Sequence, residues 1–195
     1  KAQYEFEVCF KCHNGQASIQ SRATPVIVQN DTRLEFAPSA ISFHPVETQG
    51  KNTMSVPRLR PGLTTASVIY CSDCHASDAG KAAGSSGPNG PHGSSSTPLL
   101  IASYATADFT TESASSYALC YQCHDRNRIL TQPQDINAPG TPDNPFPTHY
   151  LHVVDNRTSC SACHDSHGVS SSQGSAQKNA HLINFDTTVV QPNTV

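Results

Sequence analysis

The apolar positions of this chain come in short, isolated groups. Residues 24–29, "TPVIVQ", and 66–70, "ASVIY", are brief runs containing β-branched residues and read as strands. In 181–190, "HLINFDTTVV", apolar and polar residues alternate over a few positions, the period of another short strand. A helix suits 112–125, "ESASSYALCYQCHD", and a shorter helical piece suits 147–155, "PTHYLHVVD", with Thr148 in the N-cap position. Prolines punctuate 132–147, "QPQDINAPGTPDNPFP", which is expected to be irregular. No apolar run approaches the ~18 residues that a membrane helix needs. The expected fold is mostly irregular coil with short helices and few short strands, forming a single domain over residues 1–195.

Composition sharpens this picture. Leu, Ile, Val and Phe supply only 36 of the 195 residues, with no Trp, 14 Pro and 11 Gly. That falls below the ~20% under which strongly charged chains are expected to be disordered. The formal net charge is only −3, which weakens the case for disorder. Such a chain either stays loose or folds around an apolar body that its own side chains do not supply. There are no blocks of like charge and no basic patch with interleaved aromatics, so nucleic acid is not an expected partner. The N-terminal "KAQYEFEV" lacks an export-signal core, and an exported chain would already have lost its signal.

The missing apolar body is identified by the cysteines. All eight fall into one pattern: "CFKCH" (Cys9, Cys12, His13), "CSDCH" (Cys71, Cys74, His75), "CYQCH" (Cys120, Cys123, His124) and "CSACH" (Cys160, Cys163, His164). Four C-x-x-C pairs could also build two zinc sites, but zinc does not require histidine in a fixed place. With ten histidines in the chain, four of four triplets ending in His by chance has odds of about 10⁻⁵. A thioredoxin-type pair occurs once, on a βαβ background that is not visible here. C-x-x-C-H is the attachment signature of c-type haem. On a helical turn, positions i, i+3 and i+4 share a face, so two sulfurs can reach the porphyrin vinyls while the histidine reaches the iron. Four covalent haems then form the core. With two propionates each, they carry the net charge to about −11 before the iron is counted, which favours cationic partners.

His13, His75, His124 and His164 are thus the proximal iron ligands. Six histidines remain for the opposite axial positions: His44, His92, His149, His152, His167 and His181. The chain has one methionine, Met54, so at most one iron could have Met as its ligand, and bis-histidine iron of low potential is expected throughout. An iron closed on both sides passes electrons and binds no substrate, so no enzymatic activity is expected.

His44, between Phe43 and Pro45, and His92, in a glycine-rich loop, are preferred as distal ligands; their bland readings are a turn residue and a flexible linker. His152 and His167 are preferred over His149 and His181. His149 and His152 lie three apart on one helical face, suited to two adjacent haems or to one haem and a surface contact. His167 is too close to His164 to reach the far side of the same haem, but can reach a neighbouring one. His181 could simply pack at a strand start. A neighbouring subunit is a further source of one ligand. The motif starts are 62, 49 and 40 residues apart, so there is no fixed-period repeat.

The motifs, with "FHPV" around His44, "GPHGS" around His92, "HYLHV", "CHDSHG" and "HLINFD", resemble the multihaem c-type cytochromes of metal-reducing bacteria. More narrowly, they resemble tetrahaem outer-surface cytochromes (type E) that polymerise into extracellular nanowire filaments. That resemblance implies a continuous chain of parallel and T-shaped haem pairs, end-to-end homopolymers at the cell surface, and electron delivery to other redox proteins or to acceptors such as metal oxides. It also implies that one histidine ligates a haem across the subunit junction. Two competing readings are a monomeric periplasmic tetrahaem shuttle and a multihaem reductase with an open iron.

Overall fold

A computed structural model of the chain describes residues 1–15, 24–51, 58–131 and 146–191. Among them the chain is mostly coil, with short helices and one two-stranded sheet. No helix among the described residues is long and apolar enough to cross a membrane. Met54 and residues 132–145 of the proline-rich stretch lie outside the described residues.

Two compact units are present. The first comprises Lys1–Lys51, Ala66–Ile69 and Ser159–Val195. Its opening helix α1, Glu5–Cys9, is stabilised by Glu7, whose carboxylate accepts the backbone N–H of Gln3 at 2.6 Å and carries negative charge in the first turn. Helix α2, Thr32–Phe36, is N-capped by Asp31, which accepts from Arg33 N at 3.2 Å. The strands β1, Ser42–Phe43, and β2, Gly168–Val169, pair antiparallel with Ser42 opposite Val169 and Phe43 opposite Gly168. A Cβ at Gly168 would run into the carbonyl oxygens of Glu35 and of Ser42, the latter at 2.7 Å, so glycine lets α2 and β1 close on β2. Phe36, Ala40, Phe43, Val46, Ala162 and Val169 form the buried apolar set of this unit.

The second unit comprises Asn52–Thr65 and Tyr70–Thr158. It contains α3, Cys71–Cys74, and α4, Arg126–Ile129. It also has 3-10 turns at Lys81–Ala83 and Cys120–Gln122 and a π-helical turn at Leu151–Asp155. Asp125 caps α4 by accepting from Asn127 N and Arg128 N. Glu112 accepts from Tyr121 Oη (3.0 Å) and from Arg126 Nε (2.8 Å), tying the segment before the third motif to α4. The buried apolar residues here are Ala76, Leu100, Ile101, Tyr117 and Val153.

Several expected elements form otherwise. Segment 24–29 does meet the tail, with Val26 N bonding Phe185 O and Thr187 N bonding Thr24 O, but pairing stops at one bridge, Pro25 with Asp186. Pro25 has no N–H to continue a ladder, and Ile27, two positions on, bonds both ways with the Asn184 side-chain amide at 2.9 Å. Segment 66–70 is joined through Ile69 N to the Pro45 carbonyl, and Pro45 again cannot donate in return. The helix expected over 112–125 is reduced to turns and the 3-10 turn at Cys120–Gln122. Ser113 and Ser116 bond each other and nearby backbone, competing with helical pairing. In place of a strand over 181–190, the chain leaves helix α5, Ala176–Asn179, through a 3-10 turn at Ala180–Leu182, where His181 and Leu182 are left-handed with φ of 57° and 63°. Ser42 Oγ holds that kink, donating to Asn179 O and accepting from Leu182 N. The helical piece at 147–155 does form, closing as π-helix with Asn156 N bonded to Leu151 O.

Candidate functional site

The four cysteine motifs share one local geometry. In each, the histidine N–H bonds the carbonyl of the first cysteine: His13 to Cys9 (3.1 Å), His75 to Cys71 (2.8 Å), His124 to Cys120 (3.0 Å) and His164 to Cys160 (2.9 Å). This single turn carries both sulfurs and the histidine, the arrangement that the spacing demands. None of the eight cysteines is paired in a disulfide. Burial, with Cys123 and other acidic groups nearby, pushes the Cys74 thiol up to about 12, and burial raises those of Cys123 and Cys163. Such surroundings disfavour a thiolate and suit an uncharged thioether. Among the described residues no group of three or more His, Cys, Asp or Glu is gathered to hold a bare metal ion.

The remaining histidines differ in how their rings are held. His44 directs Nδ1 at the Ser166 carbonyl (2.7 Å), His152 at the Thr148 carbonyl (2.8 Å) and the motif histidine His164 at the His181 carbonyl (3.0 Å). His167 directs Nδ1 at the Glu35 carboxylate, 3.1 Å from Oε2. A carbonyl or carboxylate fixes the proton on Nδ1, and in the neutral ring the lone pair then sits on Nε2, the tautomer that binds a metal. Burial lowers the pKa of His44 and of His164, which keeps both rings neutral. For His167 burial pulls the same way, but the Glu35 hydrogen bond and charge outweigh it, and the net shift is upward.

His44, His164, His167 and the His181 backbone lie together in the first unit, with His44 N bonded to His167 O at 3.0 Å. His181 itself is exposed; its carbonyl supports the proximal ring of His164. His92 is exposed in the second unit between left-handed Gly90 and Gly93. The Gly90 carbonyl accepts from both His92 N and Ser77 N, fastening this loop just past His75. His149 Nδ1 lies 3.0 Å from the Phe146 carbonyl and 2.6 Å from Arg58 Nη1. A guanidinium can only donate, so at the shorter, charged contact Nδ1 accepts and the His149 proton resides on Nε2, which sets this ring apart from the other anchored rings.

Arg58 and Glu35 are not singled out by any sequence pattern. The Arg58 strip runs along the third motif: Asp125 N bonds Arg58 O, Arg60 N bonds Cys123 O, and Leu59 bridges His124. Arg58 is only 7% exposed, its buried Nε has no hydrogen-bond partner, and among the described residues no carboxylate forms an ion pair with it. An uncompensated buried cation is costly, and a haem propionate is an anion that would relieve it. Val8 and Tyr70, each directly before the first cysteine of its motif, remain more than half exposed, apolar surface that a porphyrin face can cover. Attachment turns, ring tautomers, orphaned cation and bare apolar surface all fit c-type haem.

Repeated attachment turns of this kind define a cytochrome of the multihaem c class. The family model described as outer membrane cytochrome MtrC/MtrF-like, domains II/IV, matches residues 1–173, and the chain belongs to that family. It is therefore a multihaem electron-transfer protein of the outer-membrane or cell-surface type. No curated protein and no solved structure matches it.

Proposed function

We propose that the chain carries four haems, each with two histidine ligands, and conducts electrons outside the cell as a subunit of an end-to-end filament. Bound haem supplies a reversible one-electron couple between ferric and ferrous iron. The chain's residues do the rest. The thiol pairs of Cys9 and Cys12, Cys71 and Cys74, Cys120 and Cys123, and Cys160 and Cys163 fix the group in place, and His13, His75, His124 and His164 take one axial position each. His44, His92, His152 and His167 take the others, with His149 and His181 in supporting roles.

The observation that carries this reading is the Nδ1 anchoring of His44, His152 and His167, which prepares three non-motif rings as ligands. Irons closed on both sides exchange electrons and leave substrates unbound, so the chain acts as a conductor and not as an enzyme.

Assembly is supported by the resemblance of the motif surroundings to filament-forming cytochromes. External acceptors such as metal oxides, and other redox proteins, would be the destinations.

A haem count per chain with low-temperature EPR tests the first part: four low-spin bis-histidine signals are expected, and a high-spin signal in the intact protein would favour a reductase instead. Electron microscopy and sedimentation test the second. Filaments are expected; a homogeneous monomer would favour a soluble shuttle.

A further inference from the structure

The anchored rings are not equivalent. His44, His152 and His164 turn Nδ1 to main-chain carbonyls, which are neutral, whereas His167 turns it to a carboxylate. Glu35, which supplies that carboxylate, is only 7% exposed. Its position is built by several parts of the first unit. Asp31 caps the short helix on which Glu35 sits, and Gly168, directly after His167, allows that helix to approach because a Cβ would strike the Glu35 carbonyl. Phe36, the next residue, lays its ring against His167 at 5.0 Å between centroids. Asp165 accepts the backbone N–H of His167 at 2.9 Å, fixing the main chain independently.

A carboxylate withdrawn from water and aimed at one ring nitrogen has a chemical effect on the other. Drawing the Nδ1 proton toward Oε2 places electron density on the imidazole and makes Nε2 a stronger donor. A stronger donor and a nearby negative charge both favour the oxidised, more positive iron. We propose that Glu35 is a positioning residue that acts through His167 to make one haem of the set more negative in potential than it would be with a carbonyl anchor. The inference rests on His167 being an axial ligand. It assigns a site-specific tuning element to one ring, where His44, His152 and His164 have neutral carbonyl anchors.

The test uses the haem-loaded protein. Glu35→Gln keeps the shape and an acceptor oxygen but removes the charge, Glu35→Asp restores the charge, and His167→Met probes ligation. Spectroelectrochemical titration of Glu35→Gln is expected to show one component of the redox profile shifted to more positive potential with the others unmoved, and Glu35→Asp should return it toward the parent value. Haem content and circular dichroism should match the parent in both. His167→Met is expected to remove one bis-histidine EPR signal. If His167→Met leaves every signal intact, the ligand assignment fails and the inference with it. If that signal is lost but Glu35→Gln moves no potential, the ligand assignment stands and the tuning role is overturned.

Discussion

The Arg58 guanidinium donates to Nδ1 of His149 at 2.6 Å, and its other terminal nitrogen bonds the Phe146 carbonyl at 3.2 Å. Two histidines three residues apart on one helical piece are thereby given opposite tautomers. His152 presents the Nε2 lone pair, whereas His149 uses its lone pair on the arginine.

Substituting these two histidines should therefore have unequal results. His152→Gln should replace one low-spin bis-histidine EPR signal with a high-spin one. His149→Gln should preserve all the low-spin signals and lower stability by about 1 kcal/mol, the cost of one hydrogen bond. EPR of the two purified variants with a denaturant titration checks both outcomes.

Arg58 supplies a second prediction. If a propionate satisfies its buried guanidinium, Arg58→Met strands that anion and should destabilise the haem-loaded protein by about 3 kcal/mol, the range for breaking one side of a buried pair. One haem potential should also move negative, because a nearby positive charge has gone. Denaturant unfolding and redox titration measure the two effects separately.

Gly168 in β2 lies directly against the main chain of α2 and β1. Gly168→Ala should cost about 1–3 kcal/mol, since a Cβ there meets two main-chain oxygens and no flexible side chain that could yield. Thermal unfolding of the variant tests it, and a change of less than half a kilocalorie would show that these elements are not held this tightly.

The pair formed by Glu112 and Arg126 predicts a pH dependence. The Arg126 hydrogen bond, opposed by burial and assisted by Tyr121, holds the Glu112 carboxyl below its ordinary value. A carboxylate depressed in the folded state contributes stability that is fully present above its unfolded pKa and is lost as pH falls through the folded one. Glu112→Gln should cost about 1–2 kcal/mol near neutral pH, toward the lower end because the Arg126 side chain is 39% exposed. The gap from the parent should close below the usual carboxylate range. Urea titrations at neutral pH and near pH 3 compare the two.

The attachment turns were legible because they are local: the same five residues carry the sulfurs, the histidine and the hydrogen bond that wraps them. The strand expected at 24–29 was not, because its fate depends on Pro25 meeting Asp186 and on Asn184 bonding Ile27, a residue 157 positions away. The serines of 112–125 do carry a helix-weakening signal that opposes the apolar spacing. Choosing among the six non-motif histidines required partners 122 residues away for His44 and 132 for His167. For His149 the decisive partner was Arg58, 91 residues away. No periodicity records such pairings. His181, a reserve candidate, contributes through its main chain as well, since its left-handed backbone delivers a carbonyl to His164.

Main-chain oxygens that steer His44, His152 and His164 have an evolutionary consequence. A carbonyl survives replacement of the side chain beside it, so positions 148 and 166 can drift while the imidazoles above them keep their aim, whereas the left-handed backbone at position 181 narrows the choice there. The seat of His167 enjoys no such protection. A single codon change at position 35 can retune it, which makes that position the place where related chains can diverge electrically while keeping a common scaffold.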